Sequence, residues 1–310
     1  MTKAFQIFML TTVLFSLCLL SCSKREEKPR SKIIGVSLLT RGHIFYRDLE
    51  EGLRDEAAKN SFELIITSAE FDLGKQVSQI EDFVARKVDG IVVCPVDSKG
   101  IGSGIKEANH AQIPVFTADI AAQEGDVVSH IASDNVAGGR LAGEYLGRAL
   151  QGRGNVAIIN HPAVTSVIDR VQGFREALAK FPAMKIVADV SGQGVREKSL
   201  LATSDILQAH PELNAIFGIN DDSALGALDA VQQFKRPHII IIGYDATPPA
   251  VDAIMKDTPL KAEVIQYPGR IGKTTIEKIK DHFAGIQVPK VIPVDVGIVD
   301  KAALEKKTPH

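Results

Sequence analysis

The chain has 310 residues, 45% of them hydrophobic and 24% charged, with a formal net charge of −2. That is the composition of a globular protein with room for one large or two medium domains. The near-neutral charge gives no electrostatic footprint for nucleic acid, which normally needs a clustered basic face, so no nucleic-acid partner is expected. Aromatic residues make up only 5% and Trp is absent, so any Phe or Tyr outside the apolar core pattern stands out.

In chain order, Lys3 comes first as a positive lead, and Ala4 to Leu20 is apolar apart from Gln6, Thr11, Thr12 and Ser16. The run is short for a membrane span and has the layout of a secretory signal, residues 1–21. Its end, Leu19-Leu20-Ser21-Cys22, resembles the bacterial lipobox, in which the cysteine is acylated and becomes the first mature residue. Cys22 is therefore the expected lipidation site, and several acyl chains on one residue suffice for stable attachment to a membrane. Residues 22–31 read as a lipidated polar tether. Ser23 after the cysteine, rather than Asp, resembles outer-membrane sorting. With Cys18 removed and Cys22 acylated, only Cys94 remains, and no disulfide is expected. It ends the run Ile91-Val92-Val93-Cys94 and reads as a buried strand residue.

From Ile33, short apolar runs alternate with amphipathic stretches. "KIIGVSLL" reads as a strand, Tyr46 to Asn60 as a helix, "FELIIT" as a strand and Leu73 to Lys87 as a helix. "GIVVCP", a helix after Ser98 and "IPVFTAD" continue the series, and "VVSHIASD" breaks it as a connecting strand. The rhythm restarts with a helix from Asn135, "VAIIN", a helix from Arg170, "KIVADV" and a helix from Glu197. "AIFGIN", a helix from Asp222 and "HIIIIGYD" complete it. Buried apolar strands separated by crossover helices predict an α/β fold of two doubly wound lobes. The halves echo each other: "VDGIVVCPVDSKGIGSGI" and "LNAIFGINDDSALGAL" share an apolar strand, an Asp-Ser cap and a small-residue helix start.

Open parallel sheets bind ligands beyond the carboxyl ends of their strands. Ser37, Asp119, Asn220, Asp245 and Gln266 fall there, Phe45 and Tyr46 open the first helix, and Arg170 begins another. Carboxylates, amides and Arg grip vicinal hydroxyls, and aromatic faces cover the C–H surface of a ring, so this set suits a sugar or a sugar-like polyol. Asp119, Asn220 and Asp245 read equally well as helix caps or turn formers one at a time, and their joint placement favours the ligand. Catalysis is not expected: the chain lacks a G-x-S-x-G elbow, a P-loop, H-E-x-x-H and a complete G-x-G-x-x-G. The histidines do not fall at metal-ligand spacings, so neither a metal nor a cofactor is expected.

"VVSHIASDN", "QAHPELNAIFGINDDSALGAL", "IIGYDATP" and "VIQYPGRIG" resemble the type I sugar-binding proteins of ABC transporters, the family of the periplasmic ribose-binding protein, from about Lys32 to beyond Val294. The resemblance implies two Rossmann-like lobes joined by a three-segment hinge. The implied division is 32–133 with 267–295 for the N-terminal lobe, and 134–266 with 296–310 for the C-terminal lobe. It also implies pocket roles for Ser37, for Phe45 and Tyr46 as a stacking pair, and for Asp119, Arg170, Asn220, Tyr244, Asp245 and Gln266. Ile120 departs from the ribose pattern, which has an arginine there, and Gly194 stands near a pocket aromatic of that pattern. The first loop, "LLTRGHIFY", is longer and puts His43 where an asparagine is expected, with Arg41 set to compensate for the missing arginine.

The expected function is therefore an extracytoplasmic solute-binding lipoprotein, a monomer that delivers a sugar or polyol to the membrane subunits of an ABC permease. The alternative is a sensory receptor feeding a chemoreceptor or a histidine kinase. A transcriptional repressor of the same fold is excluded, because an export signal stands where a DNA-binding segment would be. Truncating Asp119, Arg170 or Asp245 is expected to weaken ligand binding and to leave the stability of the empty protein nearly unchanged.

Overall fold

The computed structural model describes residues 30–307; the expected signal, Cys22 and most of the tether lie outside the described residues. The chain divides between Ser31 and Lys32, and both lobes belong to the part from Lys32 on.

The first lobe opens with β1 (Ile33–Leu38), α1 (Ile44–Lys59), β2 (Glu63–Ser68), α2 (Leu73–Ala85) and β3 (Gly90–Val93). It continues through α3 (Gly102–His110), β4 (Val115–Ala118) and β5 (Ser129–Ser133). Together with β11 (Val291–Val294) these strands form one sheet in the order β2-β1-β3-β4-β5-β11. Every pair in it is parallel. β3 and β4, "GIVV" and "VFTA", are buried at every residue, as strands covered on both faces must be. The segment "VVSHIASD" is no mere connector: Ser129–Ser133 is an inner strand held between β4 and β11.

The second lobe repeats the plan. It runs through α4 (Asn135–Ala149), β6 (Arg153–Asn160), α5 (Thr165–Leu178), β7 (Ala183–Ser191), α6 (Arg196–Ala209) and β8 (Leu213–Gly218). α7 (Asp221–Gln233), β9 (Ile240–Asp245), α8 (Pro248–Met255) and β10 (Leu260–Ile265) come next. Its sheet has the order β7-β6-β8-β9-β10-β12, where β12 (Gly297–Asp300) pairs antiparallel with β10 and the rest are parallel. α9 (Pro268–Phe283) packs on α1, and α10 (Lys301–Lys307) packs on β12. The chain thus passes between the two groups of elements between β5 and α4, between β10 and α9, and between β11 and β12.

Both sheets have the strand order 2-1-3-4-5, whose topological switch point lies between the first and third strands. The loops that leave β1 and β3, and those that leave β6 and β8, are therefore where a ligand site is expected. α5 starts at Thr165 rather than at Arg170. Its N-cap, Val164, makes no side-chain capping bond, so the sequence carries no start signal there. Arg170 is consequently placed in the second turn, on the face packed against α4. A Cβ on Gly139 would strike the Arg170 carbonyl, and one on Gly173 would strike that of Val136, so the two glycines let these helices touch through their backbones.

Candidate ligand-binding cleft

A cleft lies between the lobes, narrow and partly open to solvent. Its walls include His43, Phe45, Tyr46, Asp119, Arg170 and Asn220, and also Asp245 and Gln266. Eight of the ten ligand-contact positions expected from the sequence thus meet in one place. The other two lie behind the wall. The Ser37 hydroxyl donates to Gln79 Oε1 of α2 at 2.8 Å and is fully buried. Tyr244, next to Asp245 on β9, points the other way by strand alternation. Its ring lies 3.9 Å under the Arg170 guanidinium, and its hydroxyl donates to Asn135 Oδ1 at 3.4 Å. Arg41 is also outside the cleft; its guanidinium is tied to Glu50 on the surface.

His43 is the N-cap of α1, and its Nδ1 accepts from the Phe45 N–H at 3.2 Å. An accepting Nδ1 leaves the ring proton on Nε2, which faces Asp245 Oδ2 at 3.4 Å. The longer first loop therefore gives the second lobe's acid a partner from the first lobe. The Phe45 and Tyr46 rings meet edge to face, with centroids 5.2 Å apart.

Asp119 comes directly after β4 and is 4% exposed. Its Oδ2 accepts from the Tyr46 hydroxyl at 2.7 Å, whereas Oδ1 is buried with no hydrogen-bond partner. Burial pushes its carboxyl up to about 6, against the pull of the Arg170 charge and the Tyr46 hydrogen bond. Asp245 has both oxygens engaged, because Gln266 Nε2 donates to Oδ1 at 2.5 Å. The other end of the Gln266 amide, Oε1, is buried without a partner.

Arg170 is 5% exposed. Its Nε donates to Asn135 Oδ1 and its Nη1 to the Ile219 carbonyl, each at 2.8 Å. Asn220 lines the cleft, but its amide is already engaged. Oδ1 caps α7 by accepting from the Ser223 N–H at 2.9 Å, and Nδ2 donates to the Gly194 carbonyl at 3.1 Å.

Of the wall residues that the sequence did not single out, two stand out chemically. Phe71 stands beyond the end of β2 and is 43% exposed, while His161 stands at the end of β6. Both obey the strand-end rule that found the others, and Phe71 is an aromatic outside the core pattern. Phe71 and its neighbour Glu70 take left-handed φ values of 62° and 53°. Glu70 holds that turn by accepting from the Thr40 hydroxyl at 2.7 Å and the Ser68 hydroxyl at 2.5 Å.

The lobes also touch directly at the rim. The Ser98 N–H donates to the Ala163 carbonyl, and the Thr165 N–H donates to Ser98 Oγ, both at 3.0 Å. Thr165 Oγ1 accepts from the Ala121 N–H at 3.0 Å and donates to its carbonyl at 3.2 Å.

The unpartnered oxygens, Asp119 Oδ1 and Gln266 Oε1, are acceptors, so the cleft is built to receive hydrogen-bond donors such as hydroxyls. Among the described residues, no group of three or more His, Cys, Asp or Glu is placed to hold a metal ion. Cys94 is fully buried and burial raises its thiol well above the ordinary range, so it is not poised as a nucleophile.

A family model described as a periplasmic binding protein domain matches residues 34–287. The ribose import binding protein of Salmonella typhimurium is 33% identical over 289 residues, covering 93% of this chain and 97% of that protein. Among solved structures, an ABC transporter periplasmic solute binding protein from Actinobacillus succinogenes 130z with bound D-allose superposes with a TM-score of 0.82. It is 28% identical and the match covers 89% of this chain and 100% of that one. The myo-inositol binding protein of Caulobacter, bound to myo-inositol, gives a TM-score of 0.82 at 27% identity, over 88% of this chain and 95% of that one. With its two like-wound lobes and the cleft between them, this chain belongs to the periplasmic binding protein family, a family of solute-binding proteins and not of enzymes.

Proposed function

We propose that this chain captures a sugar or a sugar-like polyol in the interlobe cleft outside the cytoplasmic membrane and delivers it to an ABC permease. The observation that carries this is the pair of buried acceptor oxygens without partners, Asp119 Oδ1 and Gln266 Oε1, facing a cleft with aromatic walls. A polyhydroxylated ligand supplies the missing donors, and the C–H face of a ring can lie on Phe45, Tyr46 or Phe71. Relatives named for ribose, D-allose and myo-inositol support the class. Ile120 and Gly194 are both in the wall; the first stands where the ribose pattern has an arginine and the second near a pocket aromatic of that pattern, so ribose itself is not carried over.

In this reading Asp119, Asp245, Arg170 and Gln266 grip hydroxyls, with His43 and Asn220 beside them. Ser37 and Tyr244 brace the wall from behind. The lobes are 32–133 with 267–295 and 134–266 with 296–310, and they close on the ligand as a monomer. Cys22 carries the lipid that holds the receptor at the membrane, with residues 1–21 removed as the signal.

A thermal-shift screen with D-ribose, D-allose, myo-inositol and xylitol tests the ligand class. At 100 times its dissociation constant a true ligand adds about 2.7 kcal/mol of stability. No shift with any pentose, hexose or polyol would sink the reading. For the anchor, Cys22→Ala is expected to leave an unacylated precursor that no longer enters the detergent phase on phase separation.

A further inference from the structure

Behind Asp245, away from the cleft, lie two more acids. Glu263, on the inner strand β10, is fully buried, and Asp221, in the first turn of α7, is 1% exposed. Glu263 faces Gly243 on β9, where any Cβ would strike Glu263 Oε1, so the glycine makes room for the carboxyl to pass toward α7. Asp221 Oδ2 accepts from the Thr247 N–H at 2.8 Å and also from the Thr247 hydroxyl. Thr247 closes the turn in which Asp245 and Ala246 take left-handed φ values of 113° and 59°. Non-glycine residues in that region are strained and persist only where the surroundings hold them. The bonds from Thr247 to Asp221 are part of that hold on a cleft residue.

Three oxygens remain, Asp221 Oδ1 and both of Glu263, all buried and without a donor. As two carboxylates they would face each other, and the Ala246 N–H beside Glu263 does not relieve Asp221 Oδ1. From β9 the pair faces the Asp245 carboxylate and the main chain of Ala246. α1 offers only His43, which sits against Asp245, and Arg196 of α6 is paired with Asp229. α7 adds a further acid, Asp222, and β12 sets the neutral Val299 beside Glu263. A single proton resolves the arrangement, because it turns one carboxyl into a donor for the other.

We propose that Glu263 is kept as a neutral carboxylic acid that donates to Asp221 Oδ1, and that through Asp221 and Thr247 it positions the Asp245 turn at the cleft. Burial and the neighbouring acids raise both carboxyls of the pair, in keeping with this. Capture of ligand is then linked to a proton that the ligand never touches. Raising the pH strips the pair, frees Thr247 and loosens Asp245. The link to capture rests on the sugar or polyol reading above; the shared proton does not.

Two variants test this. Glu263→Gln keeps shape and donor without a titrating group, and Glu263→Met keeps the volume without a donor. The infrared spectrum at neutral pH is expected to show a protonated-carboxyl C=O band in the full mature chain that is missing from Glu263→Gln. Thr247 amide exchange is expected to quicken at alkaline pH in the wild type and to stay slow in Glu263→Gln. For whichever of D-ribose, D-allose, myo-inositol or xylitol binds, affinity is expected to fall about tenfold in Glu263→Met and to be restored in Glu263→Gln. An infrared band unchanged by Glu263→Gln overturns the proposal, and so does wild-type Thr247 exchange or wild-type affinity in Glu263→Met. If the wild type binds no probe, the sugar reading fails alone, and the infrared and exchange results still decide the proton and the turn.

Discussion

Asp119 and Asp245 hold matching places in the two lobes. Each stands at the carboxyl end of the fourth strand of its lobe, and each has a left-handed φ, 68° and 113°. Their surroundings differ. Asp119 has one internal donor, Tyr46, and one bare buried oxygen. Asp245 accepts from Gln266 on one oxygen, has His43 Nε2 3.4 Å from the other, and has a second tier of acids behind it. One fold position has thus been completed in two ways. The first-lobe acid is left short of a donor that a ligand hydroxyl can supply, and the second-lobe acid is fixed before any ligand arrives. The response of affinity to acid is therefore expected to depend chiefly on Asp119, and the shape of the cleft on Asp245.

The largest effect is expected where the two halves of this contrast meet, at Arg170. Its charge steadies Asp119, its Nε and Nη1 are committed to Asn135 and Ile219, and it covers the Tyr244 ring. Arg170→Ala takes the compensating charge from Asp119, removes the Arg170 donor from the Ile219 carbonyl and leaves Asn135 Oδ1 only the Tyr244 hydroxyl. A loss of about 3–5 kcal/mol in the ligand-free protein is expected, with at least a hundredfold loss of affinity. This revises the expectation from sequence that truncation would leave the empty protein's stability alone, since the side chain is buried and bonded rather than hydrated. Urea denaturation together with titration calorimetry checks it. An unchanged midpoint would mean that the guanidinium is free in solution.

Next comes pH. The Asp119 carboxyl lies near 6 in the fold, against about 4 in an unfolded chain. The fold therefore binds the proton more tightly, so this contribution to stability is complete below about pH 4 and is lost as pH rises through about 6. Roughly two pH units correspond to about 3 kcal/mol by pH 7. Asp119→Asn is expected to flatten the profile in that window and to be the more stable protein at neutral pH without ligand. Ligand binding acts in the opposite sense. A hydroxyl on Oδ1 favours the charged carboxylate, so wild-type affinity is expected to fall below about pH 6 and binding to release a proton there. Calorimetry in buffers of different ionisation enthalpy reads that proton directly; its absence would remove Asp119 from the grip.

How far the sequence could show this is clear from the same residues. Strand-end positions were readable because buried parallel strands are continuous apolar runs, so the residue after each run is a cleft candidate. That rule found Asp119, Asn220, Asp245 and Gln266, and it would have found Phe71 and His161 had it been applied to every strand. Burial of Arg170 was not readable, because α5 starts without a capping signal and the helix had to be seen to know which turn Arg170 occupies. The cap that Asn220 makes on Ser223 is local and was readable, but its bond to Gly194, which joins segments far apart in the chain, was not. Glu263 could not be told from a surface acid, since its placement depends on the glycine opposite it on the neighbouring strand.

A smaller effect is expected at the rim. Thr165 Oγ1 bonds the main chain of Ala121 in both directions, joining the lobes without touching the ligand space between the two acids. Thr165→Val keeps the shape and removes both bonds, along with the one Oγ1 accepts from the Ser98 hydroxyl at 3.4 Å. Their net worth, about 1–2 kcal/mol, belongs to the closed arrangement, so affinity is expected to drop about tenfold through faster release. Stopped-flow dissociation measures it. An unchanged off-rate would mean that the rim contacts do not hold the lobes together.

The smallest effect on binding separates wall from backing. Ser37 is the next-to-last residue of β1, where Asp245 is the last of β9, and its hydroxyl is turned to Gln79 and fully buried. Ser37→Ala leaves Gln79 Oε1 without its donor, while the amide's other end stays on the Ser68 carbonyl at 2.9 Å. A stability loss of about 1 kcal/mol is expected, with the midpoint of urea denaturation as its measure. Affinity is expected to stay within about threefold, because the change lies on the α2 side of the sheet and no cleft residue bonds to Ser37. A tenfold loss of affinity with unchanged stability would place Ser37 in the ligand's grip after all. The contrast between the lobes would then narrow, because the first would hold its ligand by a hydroxyl as well as by Asp119.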